Sequence, residues 1–174
     1  MNVFLRLATM DDSSFIFETR SDPKASTFLG GEPSSLFEQQ AWMAGYMSRH
    51  AAGREYYFVI CDAKSNSACG LLRLYNFQAE QCEWGSWVLI DARPTGAAIQ
   101  SAYLSFQFSF SVLRLKSTKL YVSKQNVRAL RLYRLFGFSI SHELPEDYEM
   151  ILRSSTFFSQ EAHWAKLLAG TGVN

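Results

Sequence analysis

Val3, Leu5 and Leu7 alternate with positions left to solvent, the period-two pattern of a strand. Thr9-Met10-Asp11-Asp12 then reads as a helix start, with Phe15, Ile16 and Thr19 on one face and Asp22-Pro23 as the stop. The stretch 30–35 is rich in turn residues, and Leu36, Trp42, Met43 and Tyr46 mark a second helix over about 35–49. Three strands follow as a meander: 56–61, then a turn from Asp62 to Ser67, then 69–77 and 82–90. The longest helix is predicted over 96–113. Its Tyr103, Phe106, Phe108, Phe110 and Val112 make it apolar nearly all round, so it should lie buried against a sheet. A strand over 119–123, a helix over 126–136 and strands over 138–141 and 148–153 come next. A C-terminal helix within about 158–169 and a loose tail from Gly170 complete the chain. Strands interleaved with helices in this order imply an α/β (mixed α+β) sheet with helices on both faces.

Length and composition narrow the class. A chain of 174 residues, 48% hydrophobic and 15% aromatic, fits one domain over 1–174 with its core at about 3–153. The formal net charge is +1 with no block of like charge, which argues against a nucleic-acid partner. Arg128, Arg131 and Arg134 read as a solvated helix face. Cys61, Cys69 and Cys82 show neither metal-ligand spacing nor an even count, and read as small buried residues of strands. No apolar run reaches membrane-span length and the N-terminus lacks a leader pattern, so no membrane is expected and the cytoplasm is the default compartment.

The chemistry concentrates in two segments. Arg93-Pro94-Thr95-Gly96-Ala97-Ala98 joins the apolar strand Trp87-Val88-Leu89-Ile90 to the start of the long helix. The first amides of a helix lack internal partners and sit at the positive end of its dipole, so such a turn can cradle a phosphate. Gly96 and the two alanines would let a pyrophosphate reach that backbone. Pro94 contributes no N–H, although its fixed φ suits a helix start. An ordinary proline-started helix is the plainer reading of the same residues. Some thirty residues on, Asn126-Val127-Arg128-Ala129-Leu130-Arg131-Leu132-Tyr133 precedes Phe136-Gly137-Phe138; Asn126 is a good N-cap.

Together, in this order, the two segments resemble the acyl-CoA-binding core of the GNAT N-acetyltransferases. The resemblance implies a mixed, mostly antiparallel sheet and acetyl-CoA as cofactor. It implies that backbone amides from Arg93 to Ile99, with Thr95, Gly96, Ala97 and Ala98, hold the pyrophosphate. Asn126 would touch the same cofactor. The strand ending in Val88, Leu89 and Ile90 would splay from its parallel neighbour, offer hydrogen bonds to the pantetheine arm and supply an oxyanion-stabilising amide. Gly85 in mid-strand fits a bulge or close approach there. Tyr133 matches the family tyrosine that faces the CoA sulfur and could protonate the departing thiolate; a core tyrosine is the other reading.

An ammonium group cannot attack a thioester, so a base is required, and Glu83 is the candidate. Its sequence neighbours Trp84, Trp87 and Leu89 would surround it with apolar groups, favouring proton uptake. Exposure, or pairing with Arg73, is the alternative. His50, His142 and His163 are scattered, and direct attack needs no covalent enzyme intermediate. The stretch Glu83-Trp84-Gly85-Ser86-Trp87 resembles the aminosugar-nucleotide branch of the family more than the ribosomal-protein branch. Tyr75, Trp84 and Trp87 could accordingly stack on substrate, a small-molecule amine acceptor, or could equally be core residues. A protein N-terminus or polyamine as acceptor, and a non-catalytic acyl-CoA-binding module, remain open, as does a homodimer.

Overall fold

The computed structural model describes residues 1–23 and 34–171. The turn-rich stretch 30–33, between the first strand and the second helix where the family resemblance places acceptor loops, lies outside the described residues.

Seven strands form one sheet: β1 (Val3–Leu7), β2 (Tyr56–Asp62), β3 (Ala68–Gln78), β4 (Gln81–Leu89), β5 (Ser117–Ser123), β6 (Ser139–Glu143) and β7 (Asp147–Arg153), in the spatial order β1-β2-β3-β4-β5-β7-β6. Every pairing is antiparallel except β4 with β5. Parallel neighbours need a crossover, and α3 (Ala97–Gln107) supplies it. Before it come α1 (Ser13–Ser21) and α2 (Leu36–Ala51); after it come α4 (Val127–Leu135), α5 (Ser154–Ser159) and α6 (Glu161–Ala169).

The sheet separates two apolar cores. On one face Ile16 of α1 and Met43 and Tyr46 of α2 pack on Tyr57, Val59, Leu71 and Val88. On the other, Phe106 of α3, Leu130 of α4, Phe157 of α5 and Trp164 of α6 cover Leu72, Trp84, Leu120 and Met150. The expected helices on both faces are therefore present. Among the described residues no helix is long and apolar enough to cross a membrane, and no cluster of potential metal ligands occurs. All three cysteines are free and buried in strands; burial pushes the Cys69 thiol up to about 11 and that of Cys82 to about 12, leaving both unreactive.

Three features differ from the sequence reading. The long helix is α-helical only to Gln107 and then widens into a π turn at Phe108–Val112, with Val112 exposed. Ser101, Ser105 and Ser109 line its buried face and donate to carbonyls three or four residues back, which loosens helical geometry there. Helix α5 escaped notice because its six residues, four of them serine or threonine, carry no helical period. The tail is not loose at its start: Thr171 is buried, donates to the Leu168 carbonyl at 2.7 Å and accepts from Gln100 Nε2 at 2.9 Å.

Candidate active site

Strands β4 and β5 are in register only at Gln81↔Ser117, Cys82↔Thr118 and Glu83↔Lys119. Beyond Glu83, β4 turns away from β5, which continues on β7 to Ser123. The cause lies in β4 itself. From Arg73↔Gly85 to Leu71↔Val88 it carries one residue more than β3, and Ser86 takes a left-handed φ of 48°. Such a bulge bends its strand and resets which side chains share a face. Trp84 and Trp87 therefore point the same way although they are three positions apart. Val88 joins the core under α1 and α2.

The two tryptophans clamp α3 to the sheet. Trp84 Nε1 donates to Ser105 Oγ at 2.8 Å and Trp87 Nε1 to Ser101 Oγ at 3.2 Å, one helical turn apart. Trp84 is only 1% exposed, so its expected role as a substrate-stacking ring is corrected to a core role. Trp87 is half-buried and packs on Tyr133 and Phe136, on the face opposite Glu83, which removes it from an acceptor site beside that carboxylate.

Past the strand, a cleft of about 950 Å³ runs between the β4–α3 turn and α4. Arg93, Thr95, Gly96, Ala97 and Ala98 line one wall, and Val127, Arg128 and Arg131 of α4 the other. Arg128 and Arg131 thus face a cavity rather than forming the purely solvated face expected of them. Among the described residues the N–H groups of Gly96, Ala98 and Ile99 have no partner. Those amides and three guanidinium groups suit a polyphosphate. Gly96 itself has φ 78°, and a Cβ there would lie 2.2 Å from Thr171 Cβ. The glycine is thus required for the turn's conformation and for its packing on the C-terminal segment, rather than to clear a path for phosphate. Asn2 Nδ2 braces the same turn by donating to the Thr95 carbonyl at 3.0 Å.

The strand residues divide by direction. The Ile90 N–H is bonded to the Cys69 carbonyl at 3.0 Å, toward β3. Peptide groups alternate sides along a strand, so Leu89 turns its own toward the opening, while Val88 and Ile90 face β3. Val88 and Ile90, which the resemblance assigned to the pantetheine arm together with Leu89, turn their peptide groups to β3 instead, and of the three only Leu89 presents its own to the opening. Asn126 caps α4, its side chain accepting from the Ala129 N–H at 3.1 Å, and stands next to the cleft-lining Val127. Two turns on, Tyr133 lies among Trp84, Trp87 and Phe138 with ring centroids 5.8–6.3 Å away. Burial pushes its phenol above the ordinary tyrosine value, so it is protonated at neutral pH.

The other face of β4 has a different character. Glu83 does not sit among the tryptophans of its own segment, because alternation sends them to the opposite side. Its partners are polar: the Tyr75 hydroxyl donates to one carboxylate oxygen and Asn76 Nδ2 to the other at 3.0 Å. Burial, and then the Glu83 contact, raise the Tyr75 phenol well above its usual value. Arg73 does not pair with Glu83 but with Glu55, which is 3% exposed and also takes Arg49 Nε at 2.6 Å. A pocket of about 450 Å³ opens here between α2 and β3, lined by Trp42, Arg49, Arg54, Glu55, Arg73, Tyr75, Asn76 and Phe77. Sequence reasoning found Tyr75 and missed the arginines, which come from separate elements.

Comparison with known proteins agrees with this geometry. The family model of the GNAT acetyltransferase domain matches residues 2–139. Acetyltransferase PseH of Campylobacter jejuni is 24% identical over 140 residues, 80% of this chain and 85% of that protein. Apo FdhC, described as a nucleotide-linked sugar GNAT, superposes with a TM-score of 0.88 at 28% identity, covering 96% of this chain and 95% of its own. A spermidine N-acetyltransferase of Vibrio cholerae, solved with CoA and spermine, gives a TM-score of 0.79 at 20% identity over 90% and 98% of the two chains. A splayed β4–β5 pair beside an amide-rich turn, together with a family match across most of the chain, makes this protein a member of the GNAT N-acetyltransferases, with acetyl-CoA as acyl donor.

Proposed function

We propose that this enzyme acetylates the primary amine of an amino sugar carried on a nucleotide. The observation that carries the reading is the pocket beside Glu83. Among the described residues its lining holds three arginines against one carboxylate, and that carboxylate is already bonded to two of the three. Arg49 and Arg73 also stack on the Trp42 ring, each 4.8 Å from its centroid. A cationic cavity with an aromatic wall suits a phosphate-bearing acceptor with a planar base. A polyamine would meet like charge there. The FdhC likeness supports the same acceptor class, whereas the Vibrio cholerae likeness keeps polyamines as the competing one.

The roles divide across the sheet. The unpartnered amides of Gly96, Ala98 and Ile99, with Arg93, Arg128 and Arg131, hold the cofactor's phosphates, and Leu89 offers its peptide groups to the arm. Acetyl-CoA supplies an acetyl group activated as a thioester. Glu83, on the acceptor face, accepts the amine's proton, so that a neutral lone pair forms the new C–N bond. Tyr133, on the cofactor face, donates its proton to the sulfur as the C–S bond breaks. The nitrogen sheds a second proton as the C–N bond forms, and that proton replaces the one Tyr133 gives the sulfur, so the step ends with a neutral amide, free thiol, neutral tyrosine and protonated Glu83.

Release of free CoA, measured with acetyl-CoA and a panel of amines, tests the acceptor. Turnover is expected with an amino-sugar nucleotide and is expected to fall at least about tenfold with the same amino sugar lacking its nucleotide. Faster release with spermidine than with any sugar nucleotide would transfer the assignment to polyamines, and none with any amine would leave a binding module.

A further inference from the structure

Glu83 lies between two backbone irregularities. Asn76 on β3 has φ 50° and Ser86 on β4 has φ 48°, left-handed values that are costly for residues other than glycine. Each accompanies a break in register, and the breaks are on opposite strands. Between Tyr75↔Glu83 and Gln78↔Gln81 the extra residue is on β3; between Arg73↔Gly85 and Leu71↔Val88 it is on β4. Closing the hairpin does not explain both, since Ala79 inside the turn has its own positive φ of 50° and the second break is several residues away.

What the two residues share is the destination of their side chains. Asn76 Nδ2 donates to Glu83 Oε2 at 3.0 Å. Ser86 Oγ accepts from Arg73 Nη1 at 3.4 Å, and the Arg73 guanidinium lies 4.5 Å from the centroid of the Tyr75 ring. The Tyr75 hydroxyl in turn donates to Glu83 Oε1. Arg73 is fixed from behind by Glu55, its Nε at 2.8 Å from Oε1. One bulge residue therefore grips Glu83 directly, and the other touches the cation that clamps the second grip.

We propose that Asn76 and Ser86 are positioning residues, whose paired bulges hold the Glu83 carboxylate in one orientation at the mouth of the β4–β5 opening. The inference rests on the reading of Glu83 as proton acceptor. Each carboxylate oxygen accepts one fixed donor and keeps a second lone pair for the incoming amine. A carboxylate free to rotate would meet the amine in the wrong geometry in most encounters, lowering turnover without touching cofactor binding.

Asn76→Gly separates this role from a turn role, because glycine keeps the left-handed backbone and removes only the donor. Its kcat is expected to fall about fivefold, with the KM for acetyl-CoA and the melting temperature unchanged and the acidic limb of the kcat profile moved to higher pH. Asn76→Asp, which sets a second carboxylate against Glu83, should deepen both effects. The proposal fails if both variants keep wild-type kcat and acidic limb while Glu83→Gln loses about a hundredfold or more in kcat. If Glu83→Gln itself behaves as wild type, the proton-acceptor reading fails and the positioning role fails with it.

Discussion

On the proposed assignment of cofactor and acceptor, the two sides of β4 recognise their ligands by different means. On the cofactor side the donors are mostly backbone: the amides of Gly96, Ala98 and Ile99 and the peptide groups of Leu89, with Arg93, Arg128 and Arg131 at the rim. On the acceptor side they are side chains: Arg49, Arg54, Arg73 and Tyr75 around a pocket half the size. Backbone recognition depends on the chain's path alone and tolerates many sequences along it. Side-chain recognition depends on which strands and helices are brought together. An enzyme built this way can keep one donor and change its acceptor by altering a few side chains on a single face.

The strongest test of that division is Tyr133→Phe. The ring's packing against Trp84, Trp87 and Phe138 survives, and only the hydroxyl is lost. Turnover is expected to fall by about 10²–10³, the usual worth of a general acid, while the dissociation constant of acetyl-CoA measured by calorimetry and the acceptor KM stay within about twofold. A variant with full kcat would make Tyr133 a core residue and leave the cofactor side with binding but no chemistry.

Gly96→Ala acts on the cofactor side alone. The new Cβ would enter a left-handed position and meet Thr171, so the turn must shift and carry its unpartnered amides with it. The KM for acetyl-CoA should rise about tenfold, and the melting temperature should fall by about 5 °C, as for a loss of roughly 1–2 kcal/mol in a domain of this size. The acceptor KM should not move. If it rises in step with that for acetyl-CoA, the two sides are coupled through β4 rather than independent.

The same contrast explains what was legible beforehand. Arg93 to Ala98 and Asn126 to Tyr133 are short continuous segments, so the turn and the helix that the structure brings to one cleft could be picked out by their family resemblance. The proposed acceptor pocket draws Trp42 and Arg49 from α2, Arg54 and Glu55 from the loop after it, and Arg73 from β3, a grouping made by the register Tyr57↔Arg73 and the packing of α2. Nothing local announces it. Glu83 was misplaced among tryptophans for a related reason. Sequence adjacency in a strand means opposite faces, and the single extra residue at Ser86, which puts Trp84 and Trp87 on one side, has no signature beyond the neighbouring Gly85.

The smallest expected effect concerns the three strands beyond the opening, where the two faces differ most plainly. Toward the cofactor side Leu120, Val122, Met150 and Leu152 are buried. Toward the acceptor side Glu149 accepts from Ser141 Oγ at 2.7 Å and Tyr121 at 2.8 Å, with His142 Nδ1 at 3.0 Å and Lys119 at 3.6 Å. These contacts, the Ser141 bond foremost, hold the Glu149 carboxyl down at about 2, against an ordinary value of 4.5. A carboxyl depressed on folding adds stability that is complete above its unfolded value and fades as pH falls through the folded one. Wild type should therefore lose stability between about pH 4.5 and pH 2 more steeply than Glu149→Gln, which should start about 2–3 °C lower in melting temperature at pH 7. The measurement is a melting curve at each pH for both proteins. Parallel losses through that window would show that the polar layer on the acceptor face contributes nothing to acid lability, and that the difference between the faces lies in chemistry and not in stability.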